Sequence, residues 1–568
     1  MKRNKCLVLF TTCLLSFCLL LVSCGGSPSE DSKDSNKGEK STSAGSPPAS
    51  EKEDALTYKK TGESYTRDEQ GYPQLKGVTL KIWMPIAKEY VDVVTTYAEM
   101  DVVKKWMETC DVNLKFAHPP LGQEAANFAV MIAGDELPDM IFSNGIDDYY
   151  PGKSTMAYED GLLFDYTKLV SKKNTPLFIK KVADDPYFTR AIKDDEGRIN
   201  TLGVAVSGSE ESCTTMFGLM TRKDMLEATG MDVPVTIDDW YQMLKAMKAN
   251  GVEYPLIIDG DNYWKTRNTF SNAYGISAND YYIKDDNKTI AYGPYEDAYY
   301  DYLSTMSKWY AEGLINPDFM NQDQQQTWSM IADGVGACTV NHLYNYNPYY
   351  YMPVESKDPS KAMVAVDFPV LKKGDTMRLM VTNRNIGNRK YITVDTEYPL
   401  ACVLLLDSLY DDDLEFMFSN GIEGLGYTMS ENNYPVINTI TADTTDEELL
   451  GSRIYPLEIE SDSDLDYLLT DTYCFGAQVG CVQFGVKQSY EGILGEWRLN
   501  YTSEESETIS KYDTDLNTYR DEMMLKFITG QEKLTESSFD AYRKKMKDLK
   551  MEELIAIRQA AYDRYLNR

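Results

Sequence analysis

The hydrophobic pattern from residue 75 onward switches between a period typical of strands and one typical of helices. Residues 78–85, VTLKIWMP, alternate apolar and polar positions and predict a strand that ends at Pro85. Residues 125–133 have helical spacing, and the short apolar run at 140–142 predicts a buried strand. This β-α-β-α-β order predicts an α/β fold with a mostly parallel sheet and helices on its faces.

The same switching continues through the rest of the chain. Residues 216–222 predict another strand, and the segment after Thr236 predicts a helix with Thr236 as its N-cap and Asp239 three residues later. Residues 536–566 predict two consecutive helices at the C-terminal end of the sequence. No repeat of fixed period appears, which argues against solenoids and propellers.

The N-terminal segment predicts export and a lipid anchor. Basic residues precede an apolar run at 6–22, so residues 1–23 are predicted to be a signal peptide. The sequence LVSC, followed by two glycines, resembles a bacterial lipobox and predicts cleavage before a lipidated Cys24; a plain signal peptide is the alternative. Residues 24–74 are predicted to be this cysteine and a flexible linker, so the chain would be anchored and not membrane-spanning.

Charge and composition remove several function classes. The chain has 57 basic and 89 acidic residues, a net charge of −32, which disfavours nucleic acid as a partner. Two histidines, His118 and His342, are too few for a multi-histidine zinc site. Neither a Walker-type GK[ST] loop nor a G-x-S-x-G motif occurs. We therefore expect no cofactor, no metal and no catalytic residues.

Several segments, in consistent order, resemble the bacterial extracellular solute-binding proteins of carbohydrate ABC transporters. These belong to the maltose-binding-protein-like superfamily, and the resemblance is strongest to its long, LipO-type lipoprotein branch. The segments are IAGDELPDMIF (132–142), GLLFDYTKLV (161–170), TRKDMLEATGMDVPVTIDDWYQMLKAMK (221–248), KWYAEGLINPDF (308–319), SNGIEGLGYTM (419–429) and the terminal SFDAYRKKMKDLKMEELIAIRQAAYDRY (538–565).

The resemblance implies a two-lobe clamshell, each lobe a mostly parallel sheet with helices on both faces, with ligand held between the lobes. By analogy, lobe one would be residues 75–205 with 365–418, and lobe two residues 206–364 with 419–568. It also implies a monomer at the extracellular face of the membrane with ABC permease subunits as partners. The calcium loop of many branch members is absent here, where the chain reads AMKANGVEYPLII.

The tyrosine content, 42 residues, fits a sugar-binding site, since sugars need flat aromatic platforms and planar hydrogen-bonding groups. Strand ends, polar loops and the segment after residue 340 supply the candidates, for each of which a packing, capping or hinge role is the alternative. The predicted ligand-binding residues are Trp83, Asn144, Trp264, Tyr274, Asn341, His342, Tyr344, Tyr346, Arg384, Glu423 and Tyr427.

The expected function is capture of an oligosaccharide by a membrane-anchored importer component without chemistry of its own. An extended peptide would also suit a cleft rich in aromatic and amide groups. A surface glycoside hydrolase remains an alternative, since 89 acidic residues could include a suitable carboxylate pair. A sensor subunit that reports ligand to a membrane kinase is a further alternative.

Overall fold

The computed structural model describes residues 56–134, 136–199, 201–207, 217–260, 269–342, 357–376, 379–381, 385–429, 435–438, 444–454, 457, 489–492, 494–495 and 499–568. The predicted signal peptide and Cys24 lie outside this part of the chain. Among the described residues, we find no helix with the length and apolar character needed to cross a membrane.

Strands and helices alternate along the chain as an α/β pattern requires. The strands are β1 (Leu56–Tyr58), β2 (Glu63–Arg67), β3 (Pro73–Gln74), β4 (Thr79–Trp83), β5 (Asn113–Ala117), β6 (Met140–Ile141), β7 (Ala205–Ser207), β8 (Phe217–Arg222), β9 (Tyr281–Ile283), β10 (Ile290–Tyr292), β11 (Cys338–His342), β12 (Met363–Val366), β13 (Leu379–Val381), β14 (Asn385–Gly387), β15 (Tyr391–Ile392), β16 (Tyr427–Met429), β17 (Pro435–Ile437) and β18 (Ser489–Glu491). The helices are α1 (Asp101–Thr109), α2 (Glu124–Ala133), α3 (Gly145–Tyr149), α4 (Lys153–Glu159), α5 (Pro176–Phe178), α6 (Pro186–Ala191), α7 (Lys223–Thr229), α8 (Ile237–Ala249), α9 (Ala298–Ala311), α10 (Gln324–Ala332), α11 (Pro399–Ser408), α12 (Asp412–Asn420), α13 (Asp446–Leu450), α14 (Ser503–Thr529), α15 (Glu536–Asp548) and α16 (Met551–Leu566).

The first sheet has the order β15-β6-β4-β5, and its β4-β5 and β4-β6 pairs are parallel as predicted. β15 pairs with β6 in the antiparallel direction. Every residue of α11 is buried, so this apolar helix forms part of the core and does not lie on the surface. The parallel arrangement places the carboxyl ends of β4, β5 and β6 at one edge, where ligands of such sheets usually bind.

The second sheet differs from the mostly parallel arrangement expected for lobe two. β8 lies between β11 and β12, and both pairs are antiparallel. Residues 254–258 (YPLII) make only single parallel bridges, from Leu256 to Ile315 and to Cys338. Pro255 has no N–H, and its carbonyl accepts from both Ala337 and Cys338, so a regular ladder does not continue there.

Two short strands connect these sheets. β7 follows the first-sheet region and leads towards β8, whereas β14 leads from the second-sheet region back to β15. They pair with each other in the antiparallel direction, with Ala205 opposite Gly387 and Val206 opposite Ile386. We call this pair the crossing strands.

Residues 24–74 were predicted to be Cys24 and a flexible linker. This prediction is wrong for residues 56–74, because strands begin at Leu56. β1, β2 and β3 form a small antiparallel sheet. The Glu63 carboxylate accepts hydrogen bonds from the backbone N–H groups of Leu400 (3.2 Å) and Ala401 (3.0 Å) at the start of α11. A carboxylate in this position satisfies helix N–H groups and interacts favourably with the helix dipole, so it docks the hairpin on the core.

The C-terminal helices pack against α9 through aromatic rings. The Tyr542 ring is stacked on those of Tyr519 and Phe539, at centroid distances of 5.7 and 5.6 Å. Tyr299 is stacked on Tyr302 at 5.9 Å and on Tyr542 at 6.3 Å. We call these five residues the aromatic cluster. The two predicted helices within 536–566 are confirmed, whereas the 27-residue α14 was not predicted.

Candidate functional site

A cavity of about 160 Å³ lies just beyond the carboxyl end of β6. Its walls come from the α3–α4 region, from the segment that joins β14 to β15, and from the residues that precede α14. We call it the polar pocket. Its lining residues are Asn144, Asp147, Asp148, Gly152, Lys153, Ser154, Thr155, Ile386, Arg389, Leu499, Asn500 and Tyr501.

A sharp turn after β6 aims these side chains into the pocket. Ser143 and Asn144 both adopt left-handed backbone conformations, with φ of 57° and 56°. The next residue must be glycine, since a Cβ on Gly145 would lie 2.7 Å from the Trp83 ring. The Ser-Asn-Gly sequence therefore reverses the chain within three residues, and α3 then presents Asp147 and Asp148.

Asn144 is hydrogen-bonded to the segment after β14. Its backbone N–H donates to the Arg389 carbonyl at 3.1 Å. In return, the Arg389 N–H donates to Asn144 Oδ1 at 2.7 Å. The predicted candidate Asn144 thus lies at the pocket, and its side-chain oxygen fixes the backbone of a second pocket residue.

The pocket combines carboxylates and cations. Asp147 Oδ2 accepts from the Tyr391 hydroxyl at 2.6 Å and lies 3.9 Å from Arg389 Nε. Burial raises the pKa of Asp148, the Asp147 carboxylate adds to this shift, and Lys153 opposes it. Since no hydrogen bond to Asp148 is made by a described side chain, its carboxylate is available to accept from a ligand hydroxyl or N–H group.

A more open cavity of about 390 Å³ lies beside β9 and the loop after β12. Its lining includes Tyr282, Lys284 and Leu371. None of its lining residues belongs to the first sheet, so it does not lie at the strand ends where a ligand of a parallel sheet is expected. We therefore take the polar pocket as the candidate site.

Trp83, predicted to contact ligand, is a core residue in this structure. It is 1% exposed, and its indole N–H donates to Asn127 Oδ1 at 3.0 Å. Its ring meets the rings of Phe128 and Tyr149 edge-on, at 5.3 and 6.0 Å. Trp83 is at the end of β4, as expected. Its side chain, however, points into a small hydrophobic cluster that includes Phe128 and Ile141, and its ring packs against Gly145.

Tyr274 likewise has packing contacts. Its hydroxyl lies 2.7 Å from the Thr305 hydroxyl, and its ring meets Tyr302 edge-on at 6.1 Å. Its neighbours in the chain, Asn272, Ala273 and Gly275, line the larger cavity, but Tyr274 itself lines neither cavity.

Glu423 and Tyr427 lie together in one turn, apart from the polar pocket lining. Glu423 is exposed, whereas Tyr427 is 8% exposed and packs edge-on against Phe416 at 5.5 Å. The residues after α13 meet this turn, where the Ile422 N–H donates to the Gly451 carbonyl at 2.7 Å. They also contact the loop after β4, where the Tyr90 hydroxyl donates to the Arg453 carbonyl at 2.8 Å. This stretch, expected in lobe two, therefore contacts a first-sheet loop.

The remaining candidates are described in part or not at all. Asn341 and His342 end β11, opposite Gly218 and Phe217, and their side chains lie outside the described residues. The other candidates outside the described residues are Trp264, Tyr344, Tyr346 and Arg384.

Sequence reasoning did not select Asp147, Asp148, Arg389, Asn500 or Tyr501. The two aspartates follow a buried strand and a Ser-Asn-Gly turn, which is a signal that could have selected them. The other three are distant in sequence, and only the tertiary fold brings them to α3. Within the described ranges, no group of three or more His, Cys, Asp or Glu side chains could hold a metal ion.

Comparison with known proteins agrees with this fold. Residues 93–395 match the family described as bacterial extracellular solute-binding protein. Lipoprotein LipO of Bacillus subtilis (strain 168) is 24% identical over 232 residues, a match that covers 38% of this chain and 44% of LipO. The match thus spans less than half the length of LipO.

Solved structures cover much more of the chain. The alginate-binding protein AlgQ2, in a crystal structure without calcium ion, aligns with a TM-score of 0.64 and 21% identity over 86% of this chain and 99% of AlgQ2. An HMO-binding, ABC-transporter-associated solute-binding protein from Bifidobacterium longum infantis ATCC 15697 aligns with a TM-score of 0.65 and 16% identity over 87% and 99% of the two chains. Streptococcus pneumoniae FusA in complex with kestose aligns with a TM-score of 0.63 and 15% identity over 86% of this chain and 99% of FusA.

These alignments confirm the predicted fold class, a two-lobe α/β architecture. The family match covers more than half of the sequence. The chain therefore belongs to the bacterial extracellular solute-binding protein family.

Proposed function

We propose that this protein captures an oligosaccharide for a carbohydrate ABC importer. The observation that carries the proposal is the polar pocket, which lies at the carboxyl edge of the first sheet and is lined in part by Ile386 of the crossing strands. A ligand held there would touch the segment through which the chain passes between its two sheets. Occupancy of the pocket could then shift an equilibrium between open and closed forms.

The pocket chemistry favours a ligand with many hydroxyl groups. Asp148 offers acceptor oxygens, Lys153 offers a flexible cationic donor, and Asn500 belongs to a residue type that both donates and accepts. Two carboxylates face two cations, so the lining has no excess charge that would demand a charged ligand. Proteins of the same fold are described as binding alginate, HMO and kestose, which supports a glycan as cargo.

The proposal extends to the division into lobes, the lipid anchor and the membrane partner. Lobe one would comprise residues 75–205 with 365–418, and lobe two residues 206–364 with 419–568. A lipid on Cys24 would hold the protein at the extracellular face of the membrane, where the closed form docks on the permease as a monomer. The protein would bind and release its ligand unchanged, without catalysis.

A glycoside hydrolase is the second candidate, because two adjacent carboxylates line the pocket and burial raises the pKa of Asp148. Hydrolysis would need an acid and a second carboxylate about 5–10 Å apart on either side of the scissile bond. Asp147 is already bound by the Tyr391 hydroxyl, which favours a structural role for that carboxylate. Binding without turnover therefore accounts better for the pocket.

The test is the melting temperature of the soluble chain, residues 25–568, with kestose, alginate oligosaccharides, maltotriose and short peptides. A sugar at a hundred times its dissociation constant should add about 2.7 kcal/mol of stability. A shift with one sugar class, and no consumption of that sugar, supports the proposal. A shift with peptides alone would replace the sugar by a peptide, and release of products would favour the hydrolase.

Two additional measurements sharpen this test. EDTA is expected to leave the melting temperature unchanged, and a fall would contradict the expectation that no metal is bound. Asp148→Asn should reduce the sugar-dependent shift, whereas Asp232→Asn, on the exposed surface after α7, should not.

A further inference from the structure

The segment between the crossing strand β14 and β15 is three residues long and contacts both the pocket and the residues just before the other crossing strand, β7. It consists of Asn388, Arg389 and Lys390, and we call it the 388–390 junction. Asn388 has a left-handed backbone, with φ of 49°, so the chain turns sharply as it leaves β14. The turn sends Arg389 and Lys390 to different neighbours.

Lys390 ties the junction to the start of β7. The residue is fully buried, and its side-chain Nζ donates to the Asn388 carbonyl at 3.0 Å and to the Gly203 carbonyl. Gly203 lies two residues before β7, and Leu202 forms a bridge with Lys390. A lysine this deeply buried is held in place by its hydrogen bonds. The two crossing segments therefore cannot separate here without leaving the Nζ donor exposed or without a hydrogen-bond acceptor.

Arg389 ties the same junction to the polar pocket. Its backbone exchanges two hydrogen bonds with Asn144, one from each N–H, and the Asn144 side-chain oxygen is one of the acceptors. Its side chain lines the pocket. The Asp148 carboxylate lines the same pocket but receives no hydrogen bond from the junction or from the crossing strands, so it serves as a matched reference.

We propose that Asn144 is a positioning residue that couples the pocket to the crossing strands through the Arg389 backbone. Movement of the Ser143–Gly145 turn on ligand binding would be transmitted to Arg389, and from Arg389 through Lys390 to both crossing segments. The transmission to the ligand rests on the proposed function. The coupling between Asn144 and the strands is a property of the ligand-free protein and stands without it.

The test is amide hydrogen exchange of the ligand-free soluble chain in three variants. Asn144→Gly removes the side-chain acceptor while it keeps the left-handed backbone that φ of 56° requires. Asn144→Asp keeps an acceptor oxygen, and Asp148→Asn changes the pocket without touching the junction. We expect peptides that contain residues 205–207 and 385–387 to exchange about five- to tenfold faster in Asn144→Gly. In the other two variants exchange should stay close to wild type.

Several results would overturn the proposal. Unchanged exchange in Asn144→Gly would show that the turn and the strands are independent. An equal acceleration in Asp148→Asn, or in helix α15, which contributes no residue to the pocket, would show a general loss of stability instead of coupling. No rescue by Asn144→Asp would exclude the side-chain oxygen as the link.

A measurement on the wild-type protein keeps the test valid if Asn144→Gly fails to fold. If the junction is one cooperative unit, the amides of Asn144 and Arg389 should exchange with the same opening free energy and urea dependence as those of the crossing strands. Different values would overturn the proposal. A sugar panel that gives no thermal shift would instead count against the proposed function alone, since none of these exchange measurements contains a ligand.

Discussion

The polar pocket and the aromatic cluster differ in the side chains that form them: the pocket is lined mostly by polar groups, whereas the cluster consists of packed aromatic rings. Among the described residues that line the pocket, Tyr501 is the one aromatic side chain, and the others are mostly carboxylates, cations, hydroxyls and small groups. The aromatic cluster has five stacked rings from α9, α14 and α15 and no role at the pocket. The tyrosine excess, which suggested sugar platforms, therefore serves packing in this part of the chain.

The two regions should differ in how each contributes to stability. Ring burial in the aromatic cluster removes large apolar surfaces from water, which stabilises the fold. At the 388–390 junction beside the pocket, by contrast, burial lowers the pKa of Lys390 to about 7. This shift means that burial disfavours the charged form of Lys390, so this buried side chain reduces stability wherever it is protonated in the unfolded chain.

The largest expected effect comes from the aromatic cluster. Tyr542 is 1% exposed, and Tyr542→Ala should lower the free energy of unfolding by about 3–5 kcal/mol because it leaves a cavity among stacked rings. Urea unfolding measures this loss. Sugar affinity of the fraction that remains folded should be unchanged, and a parallel loss of affinity would contradict the separation of the two regions.

Tyr542→Phe is the matched control. The Tyr542 hydroxyl is buried without a hydrogen-bond partner among the described residues. Removing it keeps the ring contacts and deletes an unsatisfied polar group, so stability should be unchanged or rise by up to about 1 kcal/mol. A fall in stability would reveal an unseen partner for that hydroxyl.

The next effect concerns Lys390 and appears as a pH dependence. Its pKa falls from 10.5 to about 7 on folding, so between these pH values the unfolded chain holds a proton that the folded protein has lost. Stability from this group must therefore rise with pH in that window. Between pH 7 and pH 9 the wild type should gain about 2 kcal/mol relative to Lys390→Met.

Urea unfolding at pH 7, 8 and 9 of both proteins measures this difference, and other titrating groups cancel in the comparison. An equal pH dependence in the two proteins would show that Lys390 keeps an ordinary pKa. Burial of Lys390 beside the pocket would then not reduce the stability of the folded protein.

How much of these two regions was predictable depends on the range of the interactions that build them. The capping box of Thr236 and Asp239 follows from local spacing and is confirmed. The strand predicted over residues 78–85 is also present, as Thr79–Trp83. The burial of Trp83 was not predictable, because it depends on Phe128 and Tyr149 from other elements.

The pocket itself is a product of distant contacts. The Ser-Asn-Gly turn has a local signal, but its pairing with Arg389 spans 245 residues and its neighbour Asn500 comes from the chain before α14. Hydrophobic periodicity reports which face of an element is buried and not which elements meet. This is why the fold class was predicted correctly while most pocket residues were missed.

A smaller effect, on binding alone, is expected at Asp148. Asp148→Asn should weaken sugar binding about 10- to 100-fold, because a hydrogen bond to a charged acceptor contributes about 1.5–3 kcal/mol. Stability should change little, since the carboxylate has no hydrogen bond within the described protein. Calorimetric titration with the sugar that gives the largest thermal shift measures the affinity, with Asp232→Asn as the surface control.

The smallest effect lies where the C-terminal helices meet the first half of the chain. Asp195 contacts Arg564 Nε and Arg568 Nη2, both at 2.8 Å, which ties α16 to the loop after α6. Asp195 and Arg564 are partly exposed, and Arg568, which is buried, would keep an acceptor oxygen from an asparagine. Asp195→Asn should therefore lower stability by only about 1 kcal/mol, and 1 M salt should reduce that loss. The control is Asp297→Asn: Asp297 pairs with Arg543 at 2.6 Å, but its side chain is 92% exposed, so no measurable change is expected. A large, salt-independent loss of stability in Asp195→Asn would contradict this expectation. It would mean that the regions around the aromatic cluster and the polar pocket depend on this contact for folding, so that they differ in chemistry but are not independently stable.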